Sequence, residues 1–152
     1  MDTKTYKIKI NAPASKVYNI MLGLDSKKTY EAWTALFNPT STYEGSWVKG
    51  SKMMFVGSDE HGNKSGMIAE IAENMPNRFI SIRHFGIIEN NQEIIDGPKV
   101  ESWAGSMEDY TFSETNGVTT VTVEVGTNEE YIDYFNETWP KALNKLKELS
   151  EV

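Results

Sequence analysis

The segment 128–152 alternates between apolar and polar positions with the period of an α-helix. Apolar side chains recur at spacings of three and four and occupy about half of the circumference, while polar side chains occupy the other half. The apolar positions are Tyr131, Tyr134, Phe135, Trp139, Ala142, Leu143, Leu146 and Leu149. The pattern predicts one long amphipathic C-terminal helix. Its first half is unusually aromatic, which indicates the wall of a binding cavity, with plain core packing as the alternative.

The start of the chain predicts one strand followed by two short helices. Residues 5–10 alternate apolar and polar positions with period two, as a half-buried strand does. Pro13 suits the first turn of a helix that Gly23 ends. A second helix is predicted over 27–37, with aromatic residues spaced by three and four, and Pro39 follows its end.

The middle of the chain shows strand and turn signals. Strands are predicted at 41–44, 51–56, 65–73, 78–88, 107–113 and 118–125. Asn116-Gly117 joins the last two as a hairpin. A sheet with one apolar face can be covered by one long helix, so the order of elements predicts an α+β fold. In it, a curved antiparallel sheet of about six to seven strands wraps around the C-terminal helix, and residues 1–152 form one domain.

Composition narrows the classes of function. The 152 residues carry 15 basic and 22 acidic side chains, a formal net charge of −7 and no cysteine. An acidic chain with scattered lysines disfavours binding to nucleic acid, and no apolar run reaches the length of a membrane span. The lack of cysteine and of a signal-peptide pattern leads us to expect a cytoplasmic protein. We expect no cofactor, no metal site and no membrane insertion.

Several local patterns match a known family in order and spacing. They are residues 8–13 with Val17 and Tyr18, then Trp33, residues 45–50, Gly66, residues 103–112, and Phe135 with Trp139, Leu143 and Leu146. Together they resemble the START-type helix-grip (SRPBCC) superfamily. Within it they resemble the branch of the C-terminal domain of the activator of the ninety-kilodalton heat-shock chaperone ATPase.

This resemblance implies a cavity between the concave face of the sheet and the terminal helix. Members of the superfamily bind lipids, sterols, polyketides or plant hormones there, and a minority are enzymes. The branch also implies a chaperone partner and a role in stress response. The co-chaperone carries a further N-terminal domain, whereas this sequence begins at the first strand, which favours ligand binding over chaperone activation.

We therefore expect noncatalytic binding of a small hydrophobic or amphipathic ligand, lipid-like or aromatic. The expected ligand-binding residues are Trp33, Phe55, Ile82, His84, Trp103, Tyr110, Phe112, Tyr131, Phe135, Thr138 and Trp139. No catalytic residue is predicted. The alternatives are a chaperone-binding interaction module and a cyclase- or hydratase-type enzyme. The enzyme would need an ionisable pair inside the cavity; His84 and Glu108 are each candidates for one member, and the sequence does not identify a partner for Glu108.

Some positions leave two interpretations open. Pro140 either kinks one continuous helix or begins the true helix. The irregular segment 86–104, rich in isoleucine, is either a lid over the cavity or an ordinary packed loop. His84 is more simply a satisfied core or rim histidine than a functional one, and Glu108 is more simply solvated or salt-bridged than a buried acid.

Overall fold

The computed structural model describes residues 2–152 and has eight strands and four α-helices. The strands are β1 (Asp2–Ile10), β2 (Thr42–Gly45), β3 (Lys52–Ser58), β4 (Lys64–Met75), β5 (Phe79–Glu89), β6 (Gln92–Ile94), β7 (Met107–Thr115) and β8 (Val118–Thr127). The helices are α1 (Ala14–Leu22), α2 (Lys27–Thr34), α3 (Pro98–Glu101) and α4 (Ile132–Ser150). A 3₁₀ turn, Glu129–Tyr131, precedes α4.

All the strands belong to one antiparallel sheet in the order β1-β8-β7-β5-β4-β3-β2, with β6 paired to β5. Asn116 and Gly117 join β7 to β8 and both have positive φ, 52° and 78°, as a two-residue hairpin turn requires. The predicted α+β helix-grip fold is confirmed. The strand that the sequence did not predict is β6, a three-residue strand within the irregular segment.

The two short helices follow β1 as predicted, although the second is shorter than expected. Gly23 ends α1 in the left-handed conformation with φ of 66°. Ser26 begins α2 by accepting a hydrogen bond from the Lys28 backbone N–H at 3.3 Å. The helix ends at Thr34 instead of Phe37, because the chain tightens there and the Phe37 N–H bonds the Thr34 carbonyl at 2.9 Å.

The C-terminal helix is shorter than the predicted 128–152 and continues through its proline. It spans 19 residues, from Ile132 to Ser150, with Pro140 in its interior. The alternative in which Pro140 begins the helix is therefore wrong. Pro140 lacks the N–H that would bond the Asn136 carbonyl, and both residues are exposed, so water can solvate that carbonyl.

The main core lies between α4 and the concave face of the sheet, with α1 and α2 closing one side. The buried face of α4 consists of Thr138, Trp139, Ala142, Leu143, Leu146 and Ser150. Two indole N–H groups tie neighbouring segments to the end of α1: Trp33 donates to the Met21 carbonyl at 2.9 Å, and Trp47 donates to the Leu22 carbonyl at 3.0 Å. These bonds hold α2 and the segment around Trp47 against the end of α1.

A smaller apolar cluster lies on the opposite, convex face of the sheet. It contains Val56, Ile68 and Ile88, with Met54 and Phe85 packed against it. The segment after β6 packs against this face at Gly86, where an added Cβ would lie 3.1 Å from a methyl group of Ile95. None of the residues 86–104 lines the cavity described below. This segment is thus the packed loop of the two alternatives and not a lid.

Gly66 allows β3 and β4 to approach closely next to the cavity residue Phe55. A Cβ at position 66 would lie 1.9 Å from the Phe55 carbonyl oxygen, closer than any packing permits.

We predict that Gly66→Ala lowers the free energy of unfolding by about 2 kcal/mol or more, because the two strands must separate. Urea denaturation measures the loss. Ser65→Ala, at an exposed neighbour, is the control, and an unchanged midpoint for Gly66→Ala would contradict the observed strand spacing.

Candidate ligand-binding cavity

A partly open cavity of about 170 Å³ lies between the concave face of the sheet, α2 and α4. Its wall is formed by Tyr30, Trp33, Thr34, Phe37, Ser41, Phe55, Met67, His84, Glu108, Tyr110, Val125, Phe135 and Trp139. More than half of these side chains are aromatic rings. The cavity is smaller than the roughly 300–1,000 Å³ of sites for drug-sized ligands, so it suits a small molecule.

Trp139 is the centre of the aromatic wall. Its ring lies 4.9 Å from Phe37, 5.8 Å from Trp33, 6.2 Å from Tyr6 and 6.3 Å from Tyr110, measured between ring centroids. These separations are those of favourable edge-to-face and offset aromatic pairs. Trp139 thereby packs α4 against both α2 and the sheet, so all three elements support the aromatic wall.

Three polar side chains on β5 and β7 form a hydrogen-bonded group at the cavity. The Tyr110 hydroxyl donates to Glu108 Oε2, and His84 Nε2 lies 3.1 Å from Glu108 Oε1. An ionised carboxylate can only accept, so His84 Nε2 carries the proton in this pair. The His84 and Glu108 side chains are 9% and 19% exposed, so the pair is largely shielded from water. Glu108 thus accepts hydrogen bonds from two side chains, and its partner His84 lies on another strand, a pairing that the sequence alone could not identify.

Two buried polar atoms at the cavity lack a protein partner. They are His84 Nδ1 and the indole Nε1 of Trp139. Buried polar atoms are nearly always hydrogen-bonded, and an exception calls for a partner such as water or a ligand. With the proton on Nε2, neutral His84 offers a lone pair at Nδ1, while Trp139 offers an N–H donor. Two residues of the wall thus each carry one buried polar atom without a protein partner, an acceptor on His84 and a donor on Trp139.

Burial and the Glu108 carboxylate together keep two phenols in their neutral form. Burial raises the pKa of Tyr110 well above its ordinary value, and the negative charge of Glu108 raises that pKa further. The same two causes, in the same order, raise the pKa of Tyr30. Both hydroxyls therefore remain hydrogen-bond donors at physiological pH.

Six of the residues expected from the sequence lie in the cavity wall: Trp33, Phe55, His84, Tyr110, Phe135 and Trp139. That they bind a ligand stays a prediction. The other five expected residues, Ile82, Trp103, Phe112, Tyr131 and Thr138, lie outside the wall.

Each of these five has a structural reason for its position. Ile82 and Phe112 face the concave side but belong to the closed core, where Phe112 packs edge-on against Tyr18 at 5.5 Å. Tyr131 is 51% exposed because it belongs to the 3₁₀ turn and not to the helical arc. Trp103 follows α3 and donates its indole N–H to the Lys99 carbonyl at 2.9 Å. Thr138 is buried beside Trp139 without reaching the wall.

The wall also contains Glu108, which the sequence suggested only for the enzyme alternative, and six residues that were not predicted from the sequence: Tyr30, Thr34, Phe37, Ser41, Met67 and Val125. Tyr30 and Phe37 could have been found from the sequence, because they are spaced by three and four residues from Trp33. Met67 lies opposite Phe55 across the β3–β4 pair, and Val125 lies opposite Glu108 across the β7–β8 pair. These two pairings depend on the register between neighbouring strands, which the sequence of a single strand does not reveal.

Among the described residues, no group of three or more His, Asp or Glu side chains is arranged to hold a metal ion. None of the helices in residues 2–152 is both long and apolar enough to cross a bilayer.

Comparison with known proteins identifies the fold. No family model matches the chain, and no curated protein does. Solved structures match over nearly the whole chain. Aha1 from Colwellia psychrerythraea, described as a dimer in solution, shares 18% identity with a TM-score of 0.67, covering 100% of this chain and 98% of that one. Protein MLL2253 from Mesorhizobium loti shares 17% identity with a TM-score of 0.68, covering 97% and 96%.

CalU16 from Micromonospora echinospora shares 16% identity with a TM-score of 0.62, covering 95% of this chain and 73% of that one. The chain has the helix-grip fold and resembles Aha1 in structure, so the resemblance predicted from the sequence is confirmed as one of fold. At such low identity the likeness extends to the fold alone.

The raised pKa of Tyr110 predicts alkaline sensitivity. Above pH 10, the ordinary pKa of tyrosine, this phenol loses its proton in the unfolded chain but keeps it in the folded protein. The contribution of Tyr110 to the free energy of unfolding is therefore present below pH 10 and is lost as pH rises further. We expect Tyr110→Phe to reduce the slope of stability against pH above 10 by up to about 1.4 kcal/mol per pH unit. Urea denaturation from pH 8 to 11 measures the slope. Tyr131→Phe, at a half-exposed position, is the control, and equal slopes for Tyr110→Phe and the unmodified chain would contradict the burial of this phenol.

Proposed function

We propose that this protein binds a small amphipathic molecule in the cavity and releases it unchanged. The observation that carries the proposal is the pair of buried, unpartnered polar atoms, His84 Nδ1 and Trp139 Nε1, on residues of a mostly aromatic wall. Rings that exclude water supply affinity through apolar burial, at roughly 25 cal/mol per Å², while a few polar atoms fix orientation. A buried polar atom without a hydrogen bond is costly, so two such atoms on residues that line one cavity favour a partner from outside the protein; Ser150 Oγ, at the end of α4, is a third such atom away from the cavity.

The position of the cavity supports the same function. Ser41, in the connection that follows α2, is a half-buried member of the wall. A small ligand can therefore enter beside α2 without unfolding the sheet. The α2 helix is itself anchored through the Trp33 indole, so the wall is largely formed before a ligand arrives, which lowers the entropic cost of binding.

Native mass spectrometry of protein purified gently from its own host tests the proposal. We expect an adduct at one ligand per chain that is released by denaturation and then identified by solvent extraction. Ser41→Phe should remove the adduct, because the added ring occupies the cavity. Ser65→Phe, at an exposed position on β4, should retain it. An adduct that persists in Ser41→Phe, or its absence from the unmodified protein, would count against constitutive binding in this cavity.

A cyclase or hydratase reaction is a second candidate function, favoured by the His84–Glu108 pair inside the cavity. Glu108 could accept a proton from a substrate, while His84 and Tyr110 stabilise the carboxylate before the transfer. Incubation with a panel of polyketide and unsaturated acyl substrates, read out by product formation, tests this function. Any turnover should fall by about 100-fold in Glu108→Gln and be unchanged in Glu124→Gln. Equal turnover in both variants would exclude Glu108 as the base.

The chaperone partner, the role in stress response and the cytoplasmic location expected from the sequence have weaker support. The fold likeness to Aha1 is consistent with a chaperone partner, and the acidic surface is consistent with a salt-sensitive interaction. Such an interaction would use the outer surface of the protein, so stimulation of a chaperone ATPase that persists in Ser41→Phe would favour it over cavity binding.

A further inference from the structure

We infer that the ligand of this cavity is a small organic cation, held by the Glu108 carboxylate within a box of aromatic rings. The inference rests on the proposed binding function and adds the chemical class of the ligand. Three features of the wall support it: the sign of its charge, the chemistry of its rings and its volume.

The charge of the wall is negative. Glu108 is the one side chain among the lining residues that is ordinarily anionic, and no lysine or arginine is among them. Its two hydrogen bonds come from Tyr110 and His84, and both donors can be neutral, so the group as a whole keeps a charge of −1. Each carboxylate oxygen accepts one of these bonds and retains a second acceptor direction. The partial burial of Glu108 strengthens its attraction for an opposite charge.

The rings add to this attraction. Aromatic faces carry negative potential and bind ammonium groups, with tryptophan the best of them. The wall contains two tryptophans, Trp33 and Trp139, whose ring centroids lie 5.8 Å apart with planes inclined by 38°. Two tyrosines and three phenylalanines complete it. Cages of aromatic rings recognise quaternary ammonium and methylated amine groups, and here the rings lie next to a carboxylate.

The field of Glu108 extends across the cavity. It contributes to raising the pKa of Tyr110 on β7 and also that of Tyr30 on α2, although burial is the larger cause in both. Tyr30 and Glu108 line opposite sides of the cavity, on the helical side and the sheet side. A cation between them would therefore be attracted by Glu108, whereas an anion would be repelled by it.

The volume limits the size of the cation. A cavity of about 170 Å³ is below the usual range for drug-sized ligands, so a long acyl chain would not fit without movement of the wall. Movement of the wall would also be needed before an alkylammonium N–H or an oxygen of the same ligand could reach the buried His84 Nδ1 and Trp139 Nε1 atoms.

A series of probes of similar shape and different charge tests the inference on the unmodified protein. The probes are tetramethylammonium, tert-butanol and trimethylacetate, with charges of +1, 0 and −1. NMR titration follows the indole N–H signal of Trp139, which lacks a protein partner, against that of Trp33, which is bonded to Met21. We expect tetramethylammonium to bind with about tenfold or greater preference over tert-butanol, and trimethylacetate to bind least.

Two variants distinguish the effect of the charge on Glu108 from the effect of the net charge of the protein. Glu108→Gln keeps the shape of the side chain and should reduce the preference for tetramethylammonium about tenfold. Glu124→Gln removes one negative charge from an exposed position on β8 and should change the preference less than twofold, since the charge is screened by solvent. Equal effects of the two variants would overturn the assignment to Glu108.

The outcomes also distinguish this inference from the proposed function. Equal or stronger binding of the neutral or anionic probe would overturn the cation assignment and leave the cavity as a binding site of another specificity. Failure of all three probes to shift the Trp139 signal would also overturn the cation assignment. The proposed function would then depend on the separate mass-spectrometric result.

Discussion

Packing of α4 against the concave face of the sheet is the constraint on which the rest of the structure depends. A one-sided sheet exposes an apolar face that one long helix must cover, and the two halves of α4 do so differently. Ala142, Leu143 and Leu146 close the second half with almost no exposed surface. The first half uses large rings, which contact α2 and β7 but leave a gap between them. The cavity is therefore a consequence of side-chain shape along one helix.

The polar group in the cavity depends on the register of β5 and β7. Ile82 pairs with Glu108, which brings His84 and Glu108 within hydrogen-bonding distance on the concave side. A carboxylate at such a position is costly unless donors satisfy it, and Tyr110 and His84 supply them. The same bonds leave the second histidine nitrogen unpartnered. The bond that satisfies Glu108 from within the protein thus leaves the other nitrogen of the same histidine without a protein partner.

Much of the fold could be predicted from the sequence because its signals are local. The period of the C-terminal helix, Gly23 and the Asn116-Gly117 turn each act within a few residues, and the structure places the corresponding elements where these signals indicated. The site could be predicted less completely, because it depends on which strands are neighbours. Glu108 acquires its partner His84 across a pair of strands that are separated in sequence by a strand, a loop and a helix. The three- and four-residue spacing predicted Tyr131 on the apolar face of the C-terminal helix, but this residue lies in the 3₁₀ turn before α4 begins.

The position of Pro140 connects the two halves of α4. It follows Trp139 directly, where the helix changes from cavity wall to closed core. The missing N–H removes one of the hydrogen bonds that would resist bending at this point, and the lost bond lies on the exposed side of the helix. The leucine half is held by core burial, whereas the aromatic half begins in a turn whose Tyr131 is exposed. Movement of the wall to admit a ligand would therefore cost least in the aromatic half, and the fold would not have to open.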